Sequence, residues 1–176
     1  MPDAAATFDW GAWEPFDARL AAPLREVPRE AAEDHFARLM AARAERIAAL
    51  SALAARHHTP LEIGALSAWL ATSLRRAGAT AIRDPMWSGL VADVALWLGE
   101  QLISRSGTLR WQLFTSHKKA TGYQRPVLTG FSKVADQHYY VDIAFMVASW
   151  AELAARGRAV QDDFLATIFD VTLRDA

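Results

Sequence analysis

The sequence predicts an α+β domain in which helix predominates, and three observations carry that prediction. Apolar residues recur at three- and four-residue steps through most of the chain. Between residues 109 and 133 the period falls to two on either side of a polar loop. A composition of 52% hydrophobic and 22% charged residues belongs to a chain that folds. At 176 residues there is enough chain for one domain, 28–176, with an appended arm, 1–27. A domain of that size buries about 70% of the surface its unfolded chain exposes.

Taken in order, the arm carries Phe8, Trp10, Trp13 and Phe16 among Pro2, Pro15, Pro23 and Pro28, a pattern no single helix sustains. Its rings are costly to leave in water, so the arm is expected to lie on the body of the domain or on a partner. From Arg29 to about Arg56, Ala32, Phe36, Leu39, Met40, Ile47, Leu50, Leu53 and Ala54 define a helix with one buried face. Thr59-Pro60-Leu61-Glu62 has the spacing of a capping box that opens a second helix, closed by Arg75, Arg76 and Gly78. The short connection predicts that these two helices are antiparallel neighbours.

Asp84-Pro85 repeats the cap-then-proline logic before an almost wholly apolar segment, 86–104, expected to be the central helix of the core. Asp93 and Glu100 mark its one polar stripe. Alternation then predicts an antiparallel hairpin, 109–115 with 126–133, joined by a ten-residue connection, and Tyr139-Tyr140-Val141 (139–141) as a third, short strand. The Trp111 and Leu113 face of the hairpin should pack on the central helix. Asp142 caps a helix from Ile143 to about Ala155, ended by Gly157, and a last helix runs from Val160 to Leu173.

Composition excludes several functions. There is no cysteine, which removes disulfides, thiolate metal sites and cysteine nucleophiles together. A net charge of −1 gives no global reason to seek nucleic acid or an anionic membrane. Met-Pro-Asp-Ala-Ala-Ala-Thr-Phe-Asp places acid where a signal peptide carries base, and the longest uncharged run, Ile63 to Leu74, falls short of the roughly 20 residues of a membrane span. The expectation is a cytoplasmic chain with no membrane contact.

No glycine-rich phosphate loop, H-E-x-x-H, EF-hand loop or G-x-S-x-G elbow occurs. Ser116-His117-Lys118-Lys119 matches S-x-x-K, but in a polar loop with neither S-D-N nor K-T-G after it, and it reads as a chance match. His57 and His58 complement the carbonyl end of the first helix, and His35, beside Asp34, reads as a solvated surface residue. If extended, Asp136, His138, Tyr140 and Asp142 share one face, which with His117 would give an acid–base or metal cluster. The rival reading makes Asp142 a helix cap and the tyrosines packing residues.

The least random feature is charge placement. Residues 1–34 hold eight acids against three bases, residues 101–135 hold six bases and no acid, and residues 136–176 hold seven acids against three bases. All three lysines, Lys118, Lys119 and Lys133, lie in the acid-free stretch with Arg105, Arg110 and Arg125, interleaved with Trp111, Phe114, Tyr123 and Phe131. The expectation is therefore a non-catalytic protein-binding module, immunity- or antitoxin-like in size and character. It would meet another protein with an acidic surface through Arg110, Lys118, Lys119, Tyr123, Arg125 and Lys133, with no cofactor and no metal. The first alternative is single-stranded nucleic acid or an anionic ligand on the same loop. The second is an enzyme or metal site built from His117, Asp136 and His138.

Overall fold

The computed structural model describes residues 8–176, so the first seven residues of the predicted arm lie outside the described residues. Five α-helices and a two-stranded antiparallel sheet follow one another as α1 (Arg29–Arg56), α2 (Ile63–Ala77), a 3-10 turn (Ala81–Arg83), α3 (Pro85–Ser106), β1 (Arg110–Leu113), β2 (Pro126–Thr129), α4 (Ile143–Ala155) and α5 (Phe164–Asp175). The fold is α+β and mostly α, as the periodicities predict. No helix among the described residues is long and apolar enough to cross a membrane.

Helix α3 is the centre. Half of its residues, 11 of 22, are buried, and it packs on α1, α4 and α5, which no amphipathic helix with one wet face could do. The Asp84 carboxylate accepts from the Met86 amide at 2.8 Å, Pro85 needs no donor at the first position, and Gly107 stops the helix in the left-handed region at φ +70°. Leu90, Leu98 and Leu102 are fully buried and meet Leu50 and Leu53 of α1, Leu66, Leu70 and Leu74 of α2, Val147 and Trp150 of α4, and Leu165 and Ile168 of α5 in one core. Two glycines let other segments approach α3 closely: a Cβ on Gly89 would lie 2.5 Å from Pro15, and one on Gly99 would lie 2.1 Å from the Trp111 ring.

Several expectations are corrected. Thr59 does not open a capping box: its hydroxyl donates to His57 O and the Glu62 amide it would have capped donates to Pro60 O, while the Thr59 amide donates to Ala54 O and the His58 amide to Ala55 O, closing α1 in a Schellman motif with His58 at φ +54°. Helix α2 therefore starts only at Ile63. It packs on α4 and α5, while α1 packs on α3, so the first two helices are not paired neighbours. Helix α5 begins at Phe164 and not at Val160, whose carbonyl accepts from Arg75 at 3.2 Å and is withdrawn from any helical ladder.

The hairpin is shorter than predicted because Gly130, at φ +94°, ends β2. Its register pairs Arg110 with Thr129, Trp111 with Leu128, Gln112 with Val127 and Leu113 with Pro126. The predicted third strand is a single bridge, Val141 with Leu128, held by two backbone bonds of 2.9 and 3.0 Å.

The arm lies on the chain's own core. Trp13 is buried, Phe8 and Trp10 pack against Trp87, and His57 stacks on Phe8 at 4.3 Å. Beneath it sits an ionic knot: Arg46 donates to both carboxylate oxygens of Asp93, and Trp13 Nε1 donates to Oδ2 at 3.1 Å. Burial pushes the Asp93 carboxyl above its ordinary value, against the Arg46 and Trp13 donors that pull it down. The polar stripe of α3 is thus paired, Asp93 by Arg46 in the interior and Glu100 by Arg43 at 3.3 Å where both remain partly exposed.

Candidate functional site

The connection between β1 and β2 is a built structure. Phe114 N donates to Arg125 O at 3.1 Å and Gln124 N to Phe114 O at 2.7 Å, so the ladder extends one pair past the strands before the chain breaks into successive turns. Gln124 sits at φ +58°, outside the region most side chains tolerate, yet it is only 2% exposed. Its side-chain amide donates to the carbonyls of Leu24 and Val27, tying the loop to the arm across the molecule. Opposite, the Phe114 and Tyr140 rings lie 4.1 Å apart and Gly122 N donates to the Tyr140 hydroxyl. A Cβ on Gly122 would fall 2.6 Å from that ring.

On this platform the predicted residues divide. Lys118 and Lys119 are exposed in the turns of the loop, Lys133 is exposed just beyond β2, and Arg110 is exposed at the start of β1. None of the four forms an ion pair among the described residues, where every carboxylate-paired cation is an arginine. Arg125 is different. Its guanidinium grips Asp142, a buried carboxylate whose other oxygen accepts from Phe145 N at 2.8 Å and caps α4. Arg125 is therefore part of the fold's interior wiring, and Tyr123 is half-buried in the turn that Ala120 closes.

The interleaved rings divide in the same way. Phe114 is buried, Trp111 packs on Gly99 with its Nε1 donating to Glu100 at 2.7 Å, and Phe131 meets Tyr139 edge-on. Tryptophan as a whole serves the core: Trp13, Trp87, Trp97 and Trp150 are buried, and Trp10, Trp69 and Trp111 pack against that core. Among the described residues the exposed large apolar side chains are Phe145, Leu153 and Val171, on α4 and α5.

The Asp136–Asp142 stretch is not extended. Asp136 folds back to accept from the His138 amide at 2.8 Å, Tyr139 donates its hydroxyl to Asp175, and Asp142 is committed to Arg125 and α4. The rings of His117 and His138 do meet, edge-on with centroids 6.0 Å apart, and His138 borders a polar recess of about 270 Å³ with Arg110, Gln112 and Asp136. Among the described residues no group of three or more His, Asp or Glu side chains is placed to hold a metal ion.

Sequence reasoning missed His35, which is 7% exposed under the arm, with Nδ1 3.4 Å from Ala18 O and the ring edge-on to Phe16. Its burial, the largest influence, holds the imidazole below its usual pKa. No family model, curated protein or solved structure matches this chain.

Proposed function

We propose that this protein is a non-catalytic protein-binding module of the cytoplasm, immunity- or antitoxin-like in size and character, that recognises a partner with an acidic surface through the basic hairpin. What supports this reading is unmatched charge on a braced platform. Lys118, Lys119, Lys133 and Arg110 are exposed without an ion-pair partner among the described residues, while Gln124, Tyr140 and the Arg125–Asp142 pair hold the backbone beneath them. Cations carried on a backbone braced in this way steer an oppositely charged surface and set the orientation in which it docks. The recess beside Arg110 and His138 gives an acidic side chain of the partner somewhere to enter.

The nucleic-acid alternative needs free rings on which bases stack. Here Phe114 is buried and Trp111 is committed to α3, so a protein partner is favoured. The catalytic alternative is left with two exposed imidazoles and an Asp136 turned to its own backbone.

The test replaces Lys118, Lys119 and Lys133 by Glu and leaves Arg125 in place, because reversing Arg125 would strand the buried Asp142. In a pull-down from native cytoplasm, proteins retained by the wild type at low salt and released at high salt should be lost from the triple variant. Its Tm should stay within about 2 °C of the wild type, since exposed unpaired lysines contribute little to folding. Retention of the same proteins by the variant refutes the loop as the binding surface.

A further inference from the structure

A second cavity, of about 240 Å³, lies on the opposite flank of the hairpin, under the arm. Phe16 and Leu24 of the arm, Leu39 of α1, Leu96 of α3 and Trp111 of β1 supply apolar walls, and small residues at Ala92 and Ala144 keep the space open. Three polar side chains reach it: His35, Asp93 and Arg125. The two charged ones are already matched, Asp93 by Arg46 and Arg125 by Asp142, so the lining carries no net charge to offer an ion. An ion entering such a lining would lose its hydration without a compensating partner.

His35 is the group left over. Ala18 O can only accept, so the contact with Nδ1 requires the hydrogen to be on Nδ1. In the neutral ring Nε2 then carries the lone pair; it has no hydrogen-bond partner among the described residues and is reached by solvent, since the buried unpartnered side-chain nitrogen among them is Trp150 Nε1. By volume, if an apolar cavity of about 150 Å³ holds benzene, this one holds roughly ten non-hydrogen atoms.

We infer that this cavity is a binding site for a small, uncharged aromatic molecule carrying one O–H or N–H donor, with the rings between Leu39, Leu96 and Trp111 and the donor on His35 Nε2. The site shares Arg125 with the basic hairpin but none of Lys118, Lys119 and Lys133, so the two readings can fail separately.

The experiment is ligand-observed NMR titration of the full chain with four probes built on one naphthalene ring system: 1-naphthol, naphthalene, 1-naphthoate and 1-naphthylmethylammonium. 1-Naphthol should bind more tightly than either charged probe by about tenfold, and more tightly than naphthalene by about three- to tenfold, the worth of one hydrogen bond. Ala92→Phe, at an exposed lining position that tolerates a larger residue without disturbing the fold, should abolish 1-naphthol binding. His35→Leu should erase the advantage of 1-naphthol over naphthalene. The Lys118→Glu, Lys119→Glu, Lys133→Glu variant should bind 1-naphthol as the wild type does. Binding that survives Ala92→Phe, a charged probe that matches 1-naphthol, or no binding of 1-naphthol at millimolar concentration would each overturn the site.

Discussion

His35 shows how far a single residue can depart from its local context. In sequence it stands beside Asp34 on a helix and reads as a surface residue. Only the arm, folding over it with Phe16 and Ala18, takes it out of water, and nothing within a few positions of His35 announces that. Burial favours the neutral ring, assisted by the Arg38 charge and opposed by Ala18 O and by Asp34. Because the folded-state pKa lies below the ordinary 6.5, the unfolded chain binds the extra proton first as pH falls. The contribution of His35 to stability is therefore complete above pH 6.5 and is lost on acidification through that value and below. Urea titrations from pH 7.5 to 5 should show the wild type weakening in this range, and His35→Leu should weaken less steeply. An identical slope in the two proteins would mean that the ring is hydrated. Arg125 gives the same lesson in reverse: it looks like one more cation of a basic stretch, and its pairing with Asp142, 17 residues on, is set by tertiary geometry.

At the scale of elements, what sequence made legible was local chemistry. The caps at Asp84 and Asp142 involve partners two and three residues away, so they could be inferred directly, and the structure has both. Thr59 failed for an equally physical reason: the end of α1 took both its amide, which donates to Ala54 O, and its hydroxyl, which donates to His57 O, so nothing was left to cap the next helix. The two α3 glycines lay beyond any local rule, since each is explained by a residue far off in the chain. Gly99→Ala should destabilise the protein by about 1–3 kcal/mol in urea unfolding, because Trp111 must move away from α3. Gly64→Ala, at an α2 position with nothing within 4 Å of the added methyl, should stabilise it by about 0.4–1 kcal/mol. Equal effects of the two substitutions would show that helix propensity alone governs both.

At the scale of the molecule, the arm is the element that completes the core, since it buries Trp13 and seals the Asp93–Arg46 pair. The need to cover its rings was legible in the sequence, and so was the concentration of base between residues 101 and 135. Which surface the arm covers was not, because Asp93 lies 80 residues from Trp13. Arg46→Ala leaves a buried carboxylate with Trp13 as its one remaining side-chain donor among the described residues, and should cost about 3–5 kcal/mol by thermal or urea unfolding. A loss below about 1 kcal/mol would mean that water reaches Asp93. The same separation bears on biogenesis. A ribosome adds roughly 5–20 residues per second, so Phe8, Trp10 and Trp13 emerge some 4–16 s before α3, the surface that receives them. Throughout that interval the nascent chain displays a cluster of naked rings, the kind of surface that holdase chaperones shield until translation delivers its own cover.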